Sequence, residues 1–178
     1  MEITYCKQKL EKIQQQMGLS GADACLLCVD VNLYYLTKQI YNGYFYIPAE
    51  GKPYFFVKRP AGFSGENVFY IRKPEDITGI LSDAGIELPE YLWLETDVLS
   101  YNESVRLEKI FCPARLGDAG KLMRNVRKVK TAEEIEQFRI SARRHAEVYE
   151  GMRDCFYPGM TDLELQYKIE YRMREMGS

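Results

Sequence analysis

Apolar residues in the first two-thirds of the chain fall into short continuous runs separated by turn residues and amphipathic segments. The run at 24–29 follows Gly21 and is typical of a strand that is buried on both faces. Two runs rich in aromatic and β-branched residues, 43–47 and 53–58, are joined by a short glycine-containing segment, which predicts a β-hairpin. Three more strands are predicted, at 67–71, 91–95 and 115–116.

The segments between these runs have residue patterns that are typical of helices. Residues 5–17 contain good helix formers with apolar side chains at helical spacing, and Gly18 is the predicted stop. Residues 30–37 predict a short helix or an irregular passage in which Asn32 is a local cap. Two further helices are predicted, at 75–83 and 104–111.

The pattern changes near residue 120, beyond which helix-forming residues dominate. Thr131-Ala-Glu-Glu134 is a capping box and predicts the start of a long helix with one apolar face. Tyr157-Pro-Gly-Met160 predicts a break, and Thr161-Asp-Leu-Glu164 is a second capping box. The sequence therefore predicts an α/β domain at 1–120, followed by a linker and two helices at 121–178.

Composition narrows the class of protein. The chain has 178 residues, of which 46% are hydrophobic and 13% aromatic, values typical of a packed globular protein rather than a disordered one. A net charge of −2 gives no indication of nucleic-acid binding. No apolar run is long enough to span a bilayer, and the first residues do not resemble a signal peptide, so we expect a cytoplasmic protein with reduced cysteines.

Two motifs invite a chemical interpretation. Cys25 and Cys28 form a CxxC pair, but it lies in a strand-like apolar run and not at a helix N-terminus, which favours small buried side chains over a redox or zinc site. His145, the single histidine, lies in a predicted helix among charged residues, which favours a surface position over a general base. Neither motif provides a complete active site.

Two further segments could bind partners. The aromatic residues between Tyr34 and Tyr46 could form a stacking platform, although packing within a sheet is the favoured interpretation. The basic stretch 124–130 contains two valines and precedes an acidic capping box, so a solvated segment between domains is favoured over a nucleic-acid site.

Three segments of the sequence resemble one family. Residues 127–142, beginning Arg127-Lys-Val-Lys-Thr-Ala-Glu-Glu-Ile135, and Tyr157-Pro-Gly-Met-Thr-Asp-Leu-Glu-Leu165 resemble the start of the catalytic domain of creatinase/Xaa-Pro peptidases. Upstream, the segment from Asp23 to Thr37 is similar to the N-terminal domain of the same family. Asp162 replaces a usual glutamate, and Lys38 replaces a usual glycine.

The resemblance implies a fold and an activity. It implies a mixed sheet flanked by helices, as in the creatinase/prolidase N-terminal domain, followed by two helices of an incomplete catalytic domain. In this family two divalent metals (Mn, Co or Zn) are held by two Asp, one His and two Glu, and these ligands would lie beyond residue 178. The resemblance thus assigns no catalytic or metal-binding residue to this chain, which is expected to be inactive alone, and it leaves the substrate-binding residues unknown.

The resemblance also implies partners. In relatives the N-terminal domain makes homodimer contacts and helps to wall the active site of the partner, so that only short proline-containing peptides enter. By analogy, the segment from Tyr41 to Tyr46 and the loop from Arg59 to Gly65 are candidate rim elements. Three alternatives remain open: a stand-alone non-catalytic interaction module, part of a creatinase-type amidinohydrolase, and an unrelated α/β binding domain.

Overall fold

The computed structural model describes residues 1–177, which form two compact units, Met1–Lys128 and a second unit that begins at Val129. The first unit contains, in order, α1 (Lys7–Ser20), β1 (Ala24–Leu27), α2 (Asp30–Thr37), β2 (Asn42–Pro48), β3 (Tyr54–Arg59), β4 (Val68–Tyr70), α3 (Asp76–Asp83), β5 (Tyr91–Leu94), α4 (Tyr101–Ile110), β6 (Arg115–Asp118) and α5 (Gly120–Lys128). The second contains α6 (Ala132–Glu150), α7 (Met152–Cys155) and α8 (Asp162–Glu175).

The first unit is built on a six-stranded sheet with the order β4-β3-β2-β1-β5-β6. Strand β2 is antiparallel to both of its neighbours, whereas the pairs β1–β5, β5–β6 and β3–β4 are parallel. All strands other than β2 therefore end at the same edge of the sheet. This arrangement confirms the predicted mixed sheet flanked by helices.

Helices cover both faces of the sheet. Cys25 and Leu27 of β1 pack into a core with residues of α1, α2 and α5, whereas Ala24 and Leu26 pack on the opposite face with residues of α3 and α4. Because every residue of β1 is buried, the strand has a continuous apolar run instead of the alternation seen in half-exposed strands.

Several element limits differ from the sequence prediction. Helix α1 continues through Gly18, and the left-handed residue that ends it is Gly21, with φ of 70°. Asn32 lies inside α2 and is not its cap, since the N-cap is Val29. Helix α6 ends at Glu150, and α7 precedes the Tyr157-Pro-Gly-Met160 segment at which the break was predicted.

The second unit has the two helices that the capping boxes predict. The hydroxyl oxygens of Thr131 and Thr161 each accept a hydrogen bond of 3.2 Å from the backbone N–H of Glu134 and Glu164, respectively. Helices α6 and α8 contact each other, yet Phe138 and Tyr149 of α6 are largely exposed. Within residues 1–177, no helix combines the length and apolar character needed to cross a bilayer.

Candidate functional site

A cleft of about 530 Å³ lies at the sheet edge where the parallel strands end. It is formed by the residues that follow β1, the first half of β2 and the residues that precede it, the end of β3 and the loop before α4. Its lining residues are Cys28, Asp30, Ile40, Tyr41, Asn42, Gly43, Tyr44, Lys58, Arg59, Pro60, Leu99 and Glu103. Ligand sites in open α/β sheets commonly occupy this edge.

The cleft brings together parts of both rim elements that the sequence suggested. Tyr41 and Tyr44 come from the aromatic segment, and Arg59 begins the loop. The remaining members have structural positions, since Phe45 and Tyr46 are buried on opposite faces of the sheet. Phe63 of the loop is also buried, and its ring packs edge-on against that of Tyr41 at 5.9 Å.

An irregular step in the β2–β3 hairpin shapes the floor of the cleft. Asn42 pairs with Arg59, whereas Gly43 pairs with Val57, so the register shifts between the two residues of β2. A Cβ atom at Gly43 would collide with the carbonyl oxygen of Phe56. Glycine is therefore required at this position for the two strands to approach closely.

Lys58 is a half-buried cation in the cleft. Its ammonium lies 4.7 Å from the centre of the Tyr44 ring and donates a long hydrogen bond of 3.4 Å to the Tyr44 hydroxyl. Burial, together with the nearby positive charge of Arg106, lowers the pKa of Lys58. Nothing in the order of residues marks this site beyond the position of a lysine at the end of an apolar strand.

The buried side chain of Glu95 makes hydrogen bonds to residues that follow β1, next to the cleft. Glu95 directly follows β5, and its side chain is only 1% exposed. Its Oε2 accepts hydrogen bonds from the backbone N–H groups of Cys28 (2.6 Å) and Val29 (2.8 Å). Its Oε1 accepts from the side-chain amide of Asn32, whose own oxygen accepts from Arg127 at 3.1 Å. The carboxylate thus caps α2 from a neighbouring strand, because no side chain within α2 does so.

The same carboxylate affects the cysteines. Burial raises the pKa of Glu95, and its hydrogen bonds only partly oppose this effect. Burial and the nearby Glu95 raise the pKa of Cys28 to about 12 and that of Cys25 well above its usual value. Both thiols therefore remain protonated at neutral pH, which fits small buried side chains and not a redox pair.

The other sequence candidates lie outside the cleft. His145 is exposed on α6 and donates from Nδ1 to the carbonyl oxygen of Ser141 at 2.7 Å, as expected for a surface histidine. The basic stretch 124–130 is helical as far as Lys128, with Val126 buried and Arg127 half-buried, and its other five residues are exposed, so most of it is solvated as predicted. Residues 1–177 contain no group of three or more His, Cys, Asp or Glu side chains able to hold a metal ion.

Comparison with known proteins identifies the family. The model of the creatinase/prolidase N-terminal domain family matches residues 9–129, and the chain belongs to this family. No curated protein matches the sequence significantly.

Solved structures extend the similarity to the fold. The prolidase from Pyrococcus horikoshii has a TM-score of 0.79 and 21% identity, covering 97% of this chain and 50% of that chain. The Xaa-Pro dipeptidase from Bacillus anthracis has a TM-score of 0.78 and 19% identity, covering 96% of this chain and 49% of that one. The creatinase/prolidase N-terminal domain of a dipeptidase from Streptococcus pyogenes has a TM-score of 0.57 and 18% identity, covering 67% of this chain and 99% of that one. The chain thus spans about half the length of the prolidases that it matches.

Proposed function

We propose that this chain is the N-terminal part of a dinuclear-metal Xaa-Pro peptidase of the cytoplasm that cleaves peptide bonds involving proline. One observation carries the proposal. The similarity to prolidases covers 97% of the chain, whereas the separate N-terminal domain of a related dipeptidase covers only 67%. The region of similarity therefore extends beyond the N-terminal domain into the helices of the second unit.

The part of this chain in such an enzyme is to form a homodimer and to restrict access to the active site. The cleft supports this role because it combines parts of both candidate rim elements at one sheet edge. Two exposed apolar residues adjoin the cleft or line it: Val31 follows Asp30 in sequence, and Ile40 is a lining residue. Such side chains are typical of surfaces that contact another protein.

The metals of the enzyme would not be held by the residues described here. The described residues 1–177 contain no group of three or more His, Cys, Asp or Glu side chains that could hold such an ion. When bound, two metals supply an activated water and polarise the scissile carbonyl. The chain supports that chemistry by assembly and by limiting the size of the substrates, which are short proline-containing peptides.

The test is to read the gene downstream of codon 178 and to assay both products. We expect an open reading frame that encodes two Asp, one His and two Glu in the family order. The longer product should bind Mn, Co or Zn and hydrolyse an Xaa-Pro dipeptide, whereas the 178-residue chain should do neither. A stop codon directly after Ser178 would contradict the proposal and favour the stand-alone interaction module.

A further inference from the structure

The ammonium group of Lys58 is partly withdrawn from water and has no direct negative partner. Lys58 lies near the end of β3, is half-buried, and lines the cleft. Its Nζ lies 4.7 Å from the centre of the Tyr44 ring and donates a hydrogen bond of 3.4 Å to the Tyr44 hydroxyl. None of the ion pairs described within residues 1–177 involves Lys58. Desolvation of the charged form is therefore not offset by an ion pair.

The side chains that face Lys58 from β1, β2 and the start of α4 provide little compensating charge. Burial raises the pKa of Tyr44 on β2 to about 12 and that of Cys28, which follows β1, to about 12. Both groups are thus neutral at neutral pH. Glu103 of α4 raises the pKa of Lys58, but its carboxylate accepts hydrogen bonds from the backbone N–H and the hydroxyl of Ser100, at 3.2 and 2.7 Å.

A second cation strengthens the effect of burial on Lys58. Burial is the largest cause that lowers the pKa of Lys58, and the positive charge of Arg106 on α4 is the next largest. Glu75, at the start of α3, opposes this effect, but it is paired with the Arg106 guanidinium through two hydrogen bonds of 2.8 Å. The surroundings of Lys58 therefore favour its neutral amine, which is the nucleophilic form.

We propose that Lys58 is a site of covalent acylation, at which the side-chain amine takes an acyl group from an activated donor, an acyl phosphate or a thioester. The nitrogen lone pair attacks the carbonyl carbon of the donor. The bond from that carbon to the phosphate oxygen or the thiol sulfur breaks, the leaving group takes the electron pair, and the amine proton passes to solvent. A lysine that is desolvated beside another cation is activated for such reactions, and the cleft of about 530 Å³ gives a small donor access to Nζ.

The product removes the cost of a partly buried charge. An acylated Lys58 is neutral, and its amide N–H can still donate to the Tyr44 hydroxyl. Acylation also changes the charge of the cleft, because Arg59 is then the one remaining cation beside Asp30 and Glu103 among the described lining residues. The inference uses only residues of Met1–Lys128, so it does not depend on the proposed peptidase function.

The experiment treats the folded 178-residue chain with acetyl phosphate and, separately, with acetyl-coenzyme A at neutral pH. Mass spectrometry of proteolytic peptides follows the acetylation of each lysine with time. We expect Lys58 to react at least about fivefold faster than Lys121, an exposed lysine of α5, with one or both donors. The faster donor identifies the chemical class. Reaction of Lys58 at the same rate as Lys121, or more slowly, with both donors would overturn the proposal.

Two controls separate the folded environment from the local sequence. In guanidinium chloride the unfolded chain should be acetylated at similar rates at Lys58 and Lys121. In the folded chain the preference for Lys58 should decrease as pH rises towards the ordinary lysine pKa of about 10.4, where both amines become neutral. A preference that persists in the unfolded chain would overturn the assignment to this site.

Matched arginine variants test the electrostatic part of the site. Arg106→Gln removes the neighbouring positive charge and leaves Glu75 unpaired, so it should slow the acetylation of Lys58 at least about twofold. Arg124→Gln removes a guanidinium that pairs with Asp97 on α5, which packs on the opposite face of the sheet from α4, and should leave the rate at Lys58 unchanged. Equal rates in the two variants would overturn the role of Arg106.

Discussion

Oε2 of Glu95, directly after β5, accepts the backbone N–H of Val29 at 2.8 Å and so caps the helix α2, whose N-cap Val29 lies 66 residues earlier in the chain. The same oxygen accepts the N–H of Cys28 at 2.6 Å. Strand β1 and strand β5 are adjacent and parallel, so the residue after β5 reaches the turn that follows β1. One buried carboxylate thereby fixes the start of α2 and one side of the cleft.

Replacing Glu95 by alanine should strongly destabilise the first unit. The change leaves two partly buried backbone donors and the buried amide of Asn32 without their acceptor. We expect the free energy of unfolding to fall by about 2–3 kcal/mol, as for the loss of a helix cap with unsatisfied groups. Chemical denaturation checks this, with Glu87→Ala as the control, since Glu87 is exposed. Equal stabilities of the two variants would contradict a capping role.

The raised pKa of Glu95 predicts a specific pH dependence. An acid whose folded pKa lies above its unfolded value of about 4.3 favours folding at low pH, and this contribution is lost as pH rises through the folded pKa. The stability of the wild type relative to Glu95→Gln should therefore be highest near the unfolded pKa and decline towards neutral pH. Urea unfolding at a series of pH values measures the difference.

Glu75 provides a control, because its contribution to stability should change with pH in the opposite direction to that of Glu95. The guanidinium of Arg106 holds its pKa at about 2, below the unfolded value, so its contribution is present above the unfolded pKa and is lost as pH falls. The stability of the wild type relative to Glu75→Gln should thus be lowest in acid and increase towards neutral pH. Parallel profiles for the two variants would contradict the environments described for both carboxyl groups.

Gly43 should not tolerate a side chain. Because a Cβ atom would meet the carbonyl oxygen of Phe56, Gly43→Ala must separate β2 from β3, and we expect a loss of about 2–4 kcal/mol of stability. Gly18→Ala is the matched change: no atom lies within 4 Å of the added carbon, and the site is inside α1. It should stabilise the protein by about 0.5–1 kcal/mol. Thermal denaturation of both variants tests the contrast, which would fail if the two melting temperatures moved in the same direction.

The sequence predicted those features that depend on neighbouring residues. The buried strand β1, the β2–β3 hairpin and the capping boxes at Thr131 and Thr161 all have local signals, and each is present in the structure. The sequence predicted Gly18 as the stop of α1, which is wrong because the helix continues to Ser20. Only the structure shows that the left-handed conformation occurs at Gly21.

The cleft was less predictable because its residues meet only in the folded sheet. Asn32 looked like a cap, but its side chain binds Glu95, which is 63 residues away, and this pairing requires β1 and β5 to be neighbours. Likewise, the contact of Lys58 with the ring of Tyr44 depends on the register of the β2–β3 pair, which shifts between Asn42 and Gly43, and that shift has no signal in the order of residues.

The apolar face of α6 leads to a prediction about association. Its stripe of Ile135, Phe138, Ala142, Ala146 and Tyr149 is exposed along the whole helix. A continuous apolar surface of this kind is rarely left uncovered in water, so we expect the 178-residue chain to self-associate as its concentration rises. Sedimentation velocity over a concentration series measures this as an increase in average mass.

Variants of the stripe identify the contact surface. The double change Phe138→Ser and Tyr149→Ser should weaken self-association at least about tenfold, because each aromatic side chain buried in a contact contributes more than 1 kcal/mol. Tyr101→Ser removes an equally exposed tyrosine from α4 and should have little effect, since Tyr101 lies outside the stripe. A wild-type chain that remains a monodisperse monomer at all concentrations would contradict the prediction. An equal loss of association in the Tyr101→Ser variant would place the contact elsewhere.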